Sequence, residues 1–351
     1  MRGAVIGFFG LSPSQSRSQR LLILATIPRS GTWFLRYSIS FLCHLAGGGR
    51  IDDRLTGEIV GAASGAPFDF ERFAGGPLFR VRPALPSDHL FIGHTVCPGF
   101  ARVAAEVPWW RTTAFHVPGY DYLHDGFDYD WTPIDLTGAP EPYTKISPQA
   151  LDRAPWDDED QRIVLVYRDP LNQLDSFYHY SRTHAHGAYR IFGERNLGDV
   201  PFREFAFGGA IASYAKQFMS YQVMARHLPR QVKLVSYESM MARPLDVLRD
   251  RLGFLGNGAR VDEDLLGSAI ALARPEHLRA IERELGRSLD GTHSARHGHM
   301  RPPSAHTAAA DIDDTAHRLA VEWLLARGLD PKYFSWPAEV AAPLAEARRA
   351  S

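Results

Sequence analysis

The run Leu21-Leu22-Ile23-Leu24-Ala25-Thr26 carries no charge, and Pro28 and Gly31 break it at once. A strand covered on one face alternates apolar and polar residues. A run this continuous suits a strand covered on both faces, and so a parallel sheet with helices on either side. Beyond Gly31, residues Trp33, Phe34, Tyr37, Phe41, Leu42 and Leu45 recur at spacings of three and four. That periodicity predicts a helix from near Thr32 to just before Gly47-Gly48-Gly49. A buried strand, a tight loop and a helix in immediate succession leave few folds open.

The same alternation continues along the chain. Leu90 to His94 reads as a second buried strand and Thr112 to Val117 as a weaker third. Ile163 to Tyr167 is the most strand-like run, and Arg168-Asp169-Pro170 follows it, with Pro170 at a helix start. A helix over 211–228 leads into a strand over 232–237, after which Pro244 opens a helix reaching Phe254. Further helices are predicted over 262–273, 275–286 and 312–327, interrupted by a polar stretch from Gly291 to Ser304. The fold class is therefore α/β, one domain with a central parallel sheet flanked by helices. With no internal repeat and no linker, that domain is expected over 21–336, with a flexible segment over 1–20 and a tail or helix over 337–351. Residues 118–148 are dense in Gly, Pro, Asp, Tyr and Trp without periodicity, which predicts an insertion over about 95–148 that could form a lid or a substrate wall.

Composition narrows the function classes. With 351 residues, 45% of them hydrophobic, the chain can bury a substantial core, which excludes disorder as its main state. The 39 Lys and Arg against 40 Asp and Glu leave a net charge of −1, so no global field recruits nucleic acid. Cys43 and Cys97 are too few to form a stabilising framework, which points to a reducing, cytoplasmic setting with both as small core residues. The apolar run from Ala4 to Leu11 is shorter than a membrane span, and a single leading Arg without a small-residue cleavage site makes a poor signal peptide. No membrane association is expected.

The chemistry concentrates in Ile27-Pro28-Arg29-Ser30-Gly31-Thr32, where a buried strand becomes a helix. Backbone N–H groups and the positive end of the helix converge there, the arrangement of a phosphate cradle, and Arg29 and Thr32 add a fixed charge and a hydroxyl. A plain strand-to-helix turn with a surface Arg would read the same way. The spacing GxxxxGK[ST] and its Lys are absent, which counts against ordinary ATP hydrolysis. A second strand-loop-helix unit places Arg168 and Ser176 eight residues apart, two helical turns, where both could reach a further phosphate. Two phosphate sites suggest a bisphosphorylated nucleotide.

The segments TIPRSGTWF, VLVYRDPLNQLDSFYHY and KLVSYESM, the last followed by RPLDVLRDRLGFLG, resemble the successive signature segments of the PAPS-dependent sulfotransferases over residues 21 to 256. The resemblance implies the P-loop-containing, nucleotide-hydrolase-like sulfotransferase fold. It also implies PAPS as donor and PAP as product, with a small-molecule acceptor. By position it assigns the 5′-phosphosulfate to Arg29, Ser30, Gly31, Thr32 and Trp33, the 3′-phosphate to Arg168 and Ser176, and the base to Tyr237. Arg296-His297-Gly298 resembles the late Arg-Lys-Gly segment that closes over the 3′-phosphate, without the Gly-Asp-Trp that usually follows. Arg29 stands where cytosolic members carry Lys, and Trp33 replaces a second Thr. Phe34 then falls where a base-stacking Trp is expected, so adenine could stack on Trp33 or Phe34.

Sulfuryl transfer needs in-line attack by a hydroxyl losing its proton, a positive group on the departing oxygen and a base. Arg29 is the candidate for the departing oxygen. His94, at the end of LFIGH, resembles the family's strand-end histidine but lies farther from Arg168 than in cytosolic members, whereas Lys145 sits at the usual interval. A lysine normally stays protonated, so His94 is preferred as base, with Lys145 and His116 as alternatives and a satisfied core histidine as the bland reading of His94. The scheme needs no metal. His293, His297, His299 and His306 lack the Cys or carboxylate pattern of a zinc set. Asp157-Asp158-Glu159-Asp160 reads as a solvated turn, and Trp109, Trp110, Trp131, Tyr120, Tyr122, Phe127 and Tyr129 fit either an acceptor pocket or an anchor for the insertion. The expected acceptor group is a hydroxyl, with an amine second. A kinase using Mg-ATP and a catalytically silent PAP-binding or scaffold protein are the rivals. The acceptor's identity and the oligomeric state, a homodimer included, stay open.

Overall fold

The computed structural model describes residues 20–46, 88–93, 97, 99–100, 103–107, 109, 162–183, 201–206, 210–256, 261–285, 314–334 and 336. Among the described residues, four strands form one sheet: β1 (Arg20–Thr26), β2 (Asp88–Gly93), β3 (Arg162–Tyr167) and β4 (Val232–Ser236). Their order is β2-β1-β3-β4 and every pairing is parallel, with Ala25 opposite both Gly93 and Leu165. The expected α/β architecture with a central parallel sheet is therefore the observed one.

Continuous apolar runs are required because both faces of β1 and β3 are covered. Ile23, Ala25, Ile163, Leu165 and Tyr167 face one cluster, and Leu24, Val164 and Val166 face the other. The first cluster is closed by α2 (Pro170–Thr183), α4 (Ile211–His227) and α9 (Asp314–Ala326). The second is closed by α1 (Thr32–Ala46), α6 (Pro244–Leu255), α7 (Glu263–Leu272) and α8 (Pro275–Leu285). At period two, neither face of these strands can carry a polar residue without burying it.

This order creates a crevice. From β1 the chain passes to β2 on one side, and from β3 it passes to β4 on the other. The helices that follow, α1 and α2, lie on opposite faces. Beyond the carboxyl ends of two such neighbouring strands their loops part, and this is where open α/β sheets bind ligands.

Most boundaries fall within two residues of expectation. The expected strand over 232–237 stops at Ser236, whose Oγ accepts the Ser239 N–H at 3.1 Å, and Tyr237 opens α5 (Tyr237–Ala242). A serine in the N-cap position ends the strand by offering a helical N–H an acceptor. The helix α3 (Phe202–Phe205) is a single turn, too short to leave a periodic signal. Cys97, Phe100 and Val107, in the segment expected as an insertion, are buried in the first cluster. Burial raises the Cys97 thiol well above its ordinary pKa, in keeping with its reading as a small core residue. Cys43 lies on α1, and its side chain is outside the described residues. Also outside them are the expected strand over 112–117, the segments 1–19 and 337–351, and the polar stretch 291–304. No helix among the described residues is long and apolar enough to cross a membrane.

Candidate active site

The loop from β1 to α1 is held from several directions. The Ile27 N–H donates to Val166 O at 3.0 Å, so β1 stays registered on β3 one residue past the strand. The Ser30 N–H then donates to Ile27 O at 3.0 Å, closing a tight turn with Arg29 at φ 67° and Gly31 at φ 86°. A left-handed conformation costs a non-glycine residue about 1–2 kcal/mol, so Arg29 is strained. Gly31 is required twice over. Besides its φ, a Cβ there would lie 2.9 Å from Met240 Cε and 3.0 Å from the Tyr237 ring.

Two buried glutamines fix the loop's carbonyls: Gln173 Nε2 donates to Pro28 O at 2.9 Å and Gln217 Nε2 to Thr26 O at 3.1 Å. The Thr26 and Thr32 hydroxyls bond each other at 2.7 Å. With the carbonyls held by side chains of α2 and α4, the loop delivers the first turn of α1, the positive end of its dipole, into the crevice.

The second strand-loop-helix unit meets the first here. Arg29 Nε donates to Ser176 Oγ at 3.3 Å, and the guanidinium stacks 4.6 Å over the Tyr180 ring. Arg168 Nη1 makes a long bond of 3.4 Å to Arg29 O, and its guanidinium lies 5.0 Å over the Tyr237 ring. The fold thus brings Arg29, Ser30, Gly31, Thr32, Arg168, Ser176 and Tyr237 to one place, although Arg29 and Ser176 are 147 residues apart. Trp33 is half-buried and stacks on Tyr37 at 6.0 Å, whereas Phe34 is 4% exposed and packed in the second core cluster. His94, His116, Lys145, Arg296, His297 and Gly298 lie outside the described residues. β2 ends at Gly93, opposite Ala25, at the edge of the sheet where the cradle begins.

Two polar atoms in this cluster are buried without a partner among the described residues: Ser30 Oγ and Arg168 Nε. A native fold rarely leaves such groups bare, and leaving one unmade costs about 1–3 kcal/mol. A hydroxyl and a guanidinium N–H in one cradle are donors suited to an anion with several acceptor oxygens.

Residues 131–285, a little under half of the chain, match the sequence model of the sulfotransferase domain. Over this stretch the chain is similar to the sulfotransferase domain. No curated protein matches the chain in sequence. Among solved structures, a mouse sulfotransferase, SULT7A1, crystallised with PAP, is similar at 12% identity and a TM-score of 0.43, covering 100% of this chain and 95% of that one.

Further residues of the chain support the cluster without being evident in its motifs. Tyr214 OH donates to Arg168 O at 2.6 Å, and Tyr167 OH donates to Tyr333 O at 2.7 Å. Burial raises both phenols above their ordinary range, so they remain donors at any working pH. Asp169 caps α2 through Oδ1, which accepts the Leu171 and Asn172 N–H groups at 3.0 and 3.2 Å, and its own N–H donates to Glu238 Oε1 at 3.1 Å. Burial, with the nearby Asp169 carboxylate, pushes the Glu238 carboxyl above its usual range, against the pull of amide donors and Arg168. Much of that side chain is still exposed, so the effect is small. Gln173, Ser176 and Tyr180 share one face of α2 at spacings of three and four, a pattern that could have placed all three at the loop.

Proposed function

We propose that this protein transfers a sulfuryl group from PAPS to a hydroxyl, or second to an amine, of a small-molecule acceptor. The observation that carries the reading is the meeting of Arg29, Ser176 and Arg168 around a cradle whose Ser30 Oγ and Arg168 Nε are buried without partners among the described residues. PAPS, as donor substrate, supplies a sulfuryl group already activated by its anhydride to phosphate. In this reading Arg29, Ser30, Gly31, Thr32 and Trp33 hold the 5′ end, and Arg168 and Ser176 hold the 3′-phosphate. Tyr237 contacts the base, and the part-exposed Trp33 is preferred to the buried Phe34 as the stacking ring. Arg296, His297 and Gly298 close over the 3′-phosphate.

Arg29 stabilises the charge that gathers on the departing phosphate oxygen, since its guanidinium is permanently protonated and already aimed by Ser176 and Tyr180. His94 takes the proton of the acceptor hydroxyl, with Lys145 and His116 as the alternatives. The low cysteine content supports a cytoplasmic setting for the reaction. Calorimetric titration with PAP, beside AMP and ATP with and without Mg²⁺, tests the reading. The expected result is metal-independent binding of PAP far tighter than that of AMP, followed by turnover of PAPS with an acceptor hydroxyl. A preference for Mg-ATP would replace the reading with a kinase, and PAP binding without turnover on any acceptor would replace it with a silent nucleotide-binding protein.

A further inference from the structure

A second feature of the site comes from the far end of the chain. After α9 the backbone turns at Gly328 and runs through a 3-10 turn at Pro331–Tyr333. Gln222 clasps this turn from α4, donating to Gly328 O at 2.9 Å and accepting the Asp330 N–H at 2.8 Å. Tyr167 and Phe218 pack against Phe334 at 5.8 and 5.0 Å, and Phe334 stacks on Trp336 at 4.5 Å. The result is to place Trp336 Nε1 at 2.9 Å from Asp169 Oδ2, across 167 residues of sequence.

Asp169 poses an electrostatic difficulty where it stands. It is the residue after Arg168, so a carboxylate lies beside the group assigned to an anionic phosphate. Oδ1 is occupied by the two N–H groups it caps, which leaves Oδ2 as the oxygen whose charge could oppose the ligand. Trp336 donates to that oxygen. A bonded carboxylate oxygen is held in one direction, and its charge is partly offset by the donor; a released one can turn to Arg168 or toward the phosphate.

We infer that Trp336 is a positioning residue for 3′-phosphate recognition, acting through Asp169: it ties back the carboxylate beside Arg168, so that the Arg168 guanidinium is kept for the ligand. The inference rests on the proposed assignment of Arg168 to the 3′-phosphate. It makes the C-terminal segment part of donor selectivity, the property that separates a 3′-phosphorylated nucleotide from one without that group.

Trp336→Phe tests it, because phenylalanine keeps an aromatic ring beside Phe334 and removes the indole N–H. PAP and AMP affinities are measured by calorimetry for the full-length wild type, Trp336→Phe and Trp336→Phe/Asp169→Asn, with thermal melts run alongside. The single variant should melt with the wild type and lose PAP affinity about threefold to tenfold, with AMP affinity unchanged. Asparagine at 169 keeps an oxygen for the cap and removes the charge, so the double variant should recover the PAP-to-AMP ratio. Equal loss for both ligands, or an unchanged ratio in Trp336→Phe, overturns the inference. So does a lowered ratio that Asp169→Asn does not recover. A wild type that binds PAP no better than AMP refutes instead the 3′-phosphate assignment beneath it.

Discussion

Gly31 is the position where the fold and the proposed chemistry meet most tightly, and Gly31→Ala separates their contributions. At φ 86° an alanine enters the left-handed region, and its Cβ would lie 2.9 Å from Met240 Cε and 3.0 Å from Tyr237 Cδ2 and Cε2. The Met240 contact is cheap to relieve, because the methyl end of a thioether can swing away. The Tyr237 contact is not, because it involves two atoms of a planar ring over which the Arg168 guanidinium is stacked. Adding about 1–2 kcal/mol for the backbone to about 1–3 kcal/mol for overpacking gives a destabilisation of about 2–5 kcal/mol. Urea denaturation should show this as a lower midpoint at unchanged slope. A Gly31→Ala/Met240→Ala double variant should regain none of the backbone cost, since neither φ nor the Tyr237 contact depends on Met240. Because a displaced Tyr237 ring takes its face away from Arg168, PAP affinity should fall as well. A midpoint within error of the wild type would refute the steric account, and a double variant as stable as Met240→Ala alone would show that Met240 set the whole cost.

Three further outcomes follow from the same geometry. Arg168→Ala should weaken PAP by about 1.5–3 kcal/mol, a charged hydrogen bond's worth, and leave AMP nearly untouched in a calorimetric titration. Gln217→Leu leaves the Thr26 carbonyl buried without its donor and should cost about 1–3 kcal/mol in urea denaturation. Glu238 holds its proton to higher pH in the folded protein than in the unfolded chain, so its contribution is fully present below the usual carboxylate pKa and is lost as pH rises through the raised folded value. Glu238→Gln keeps an oxygen for the Asp169 N–H and should flatten the stability profile in that acidic window, which melts taken across the pH range would reveal.

The parallel sheet could be read from the sequence because β1 and β3 are covered on both faces, and the residues of β1 and β3 that the core clusters hold divide between them as a period of two demands. The cradle could be read because Pro28 and Gly31 interrupt an apolar run where a helical pattern begins. What held the cradle in place was not legible. Gln173 and Gln217 reach loop carbonyls across 145 and 191 residues, and no local pattern records which carbonyl a buried glutamine will meet. Ser236 is an instance where a local signal was present and outweighed: its cap ended a strand that the apolar pattern carried on through Tyr237.

Trp336 shows the limit from the other side. Its proposed role depends on a carboxylate that the sequence presents simply as the residue between Arg168 and Pro170, with the N-terminal capping position of α2 as its evident purpose. Capping uses one oxygen. The other must be turned somewhere, and beside an anion site the direction it takes has a cost that the cap does not settle. The Tyr333 and Phe334 rings close on Tyr167 and Phe218, and Trp336, stacked on Phe334, delivers an N–H to that second oxygen. A strand-loop-helix unit supplies the arginine and the cap, and a segment more than 160 residues downstream decides where the remaining charge points. Local patterns of apolar residues therefore suffice to locate such a cradle, whereas its electrostatic balance is written in contacts that only the folded chain brings together.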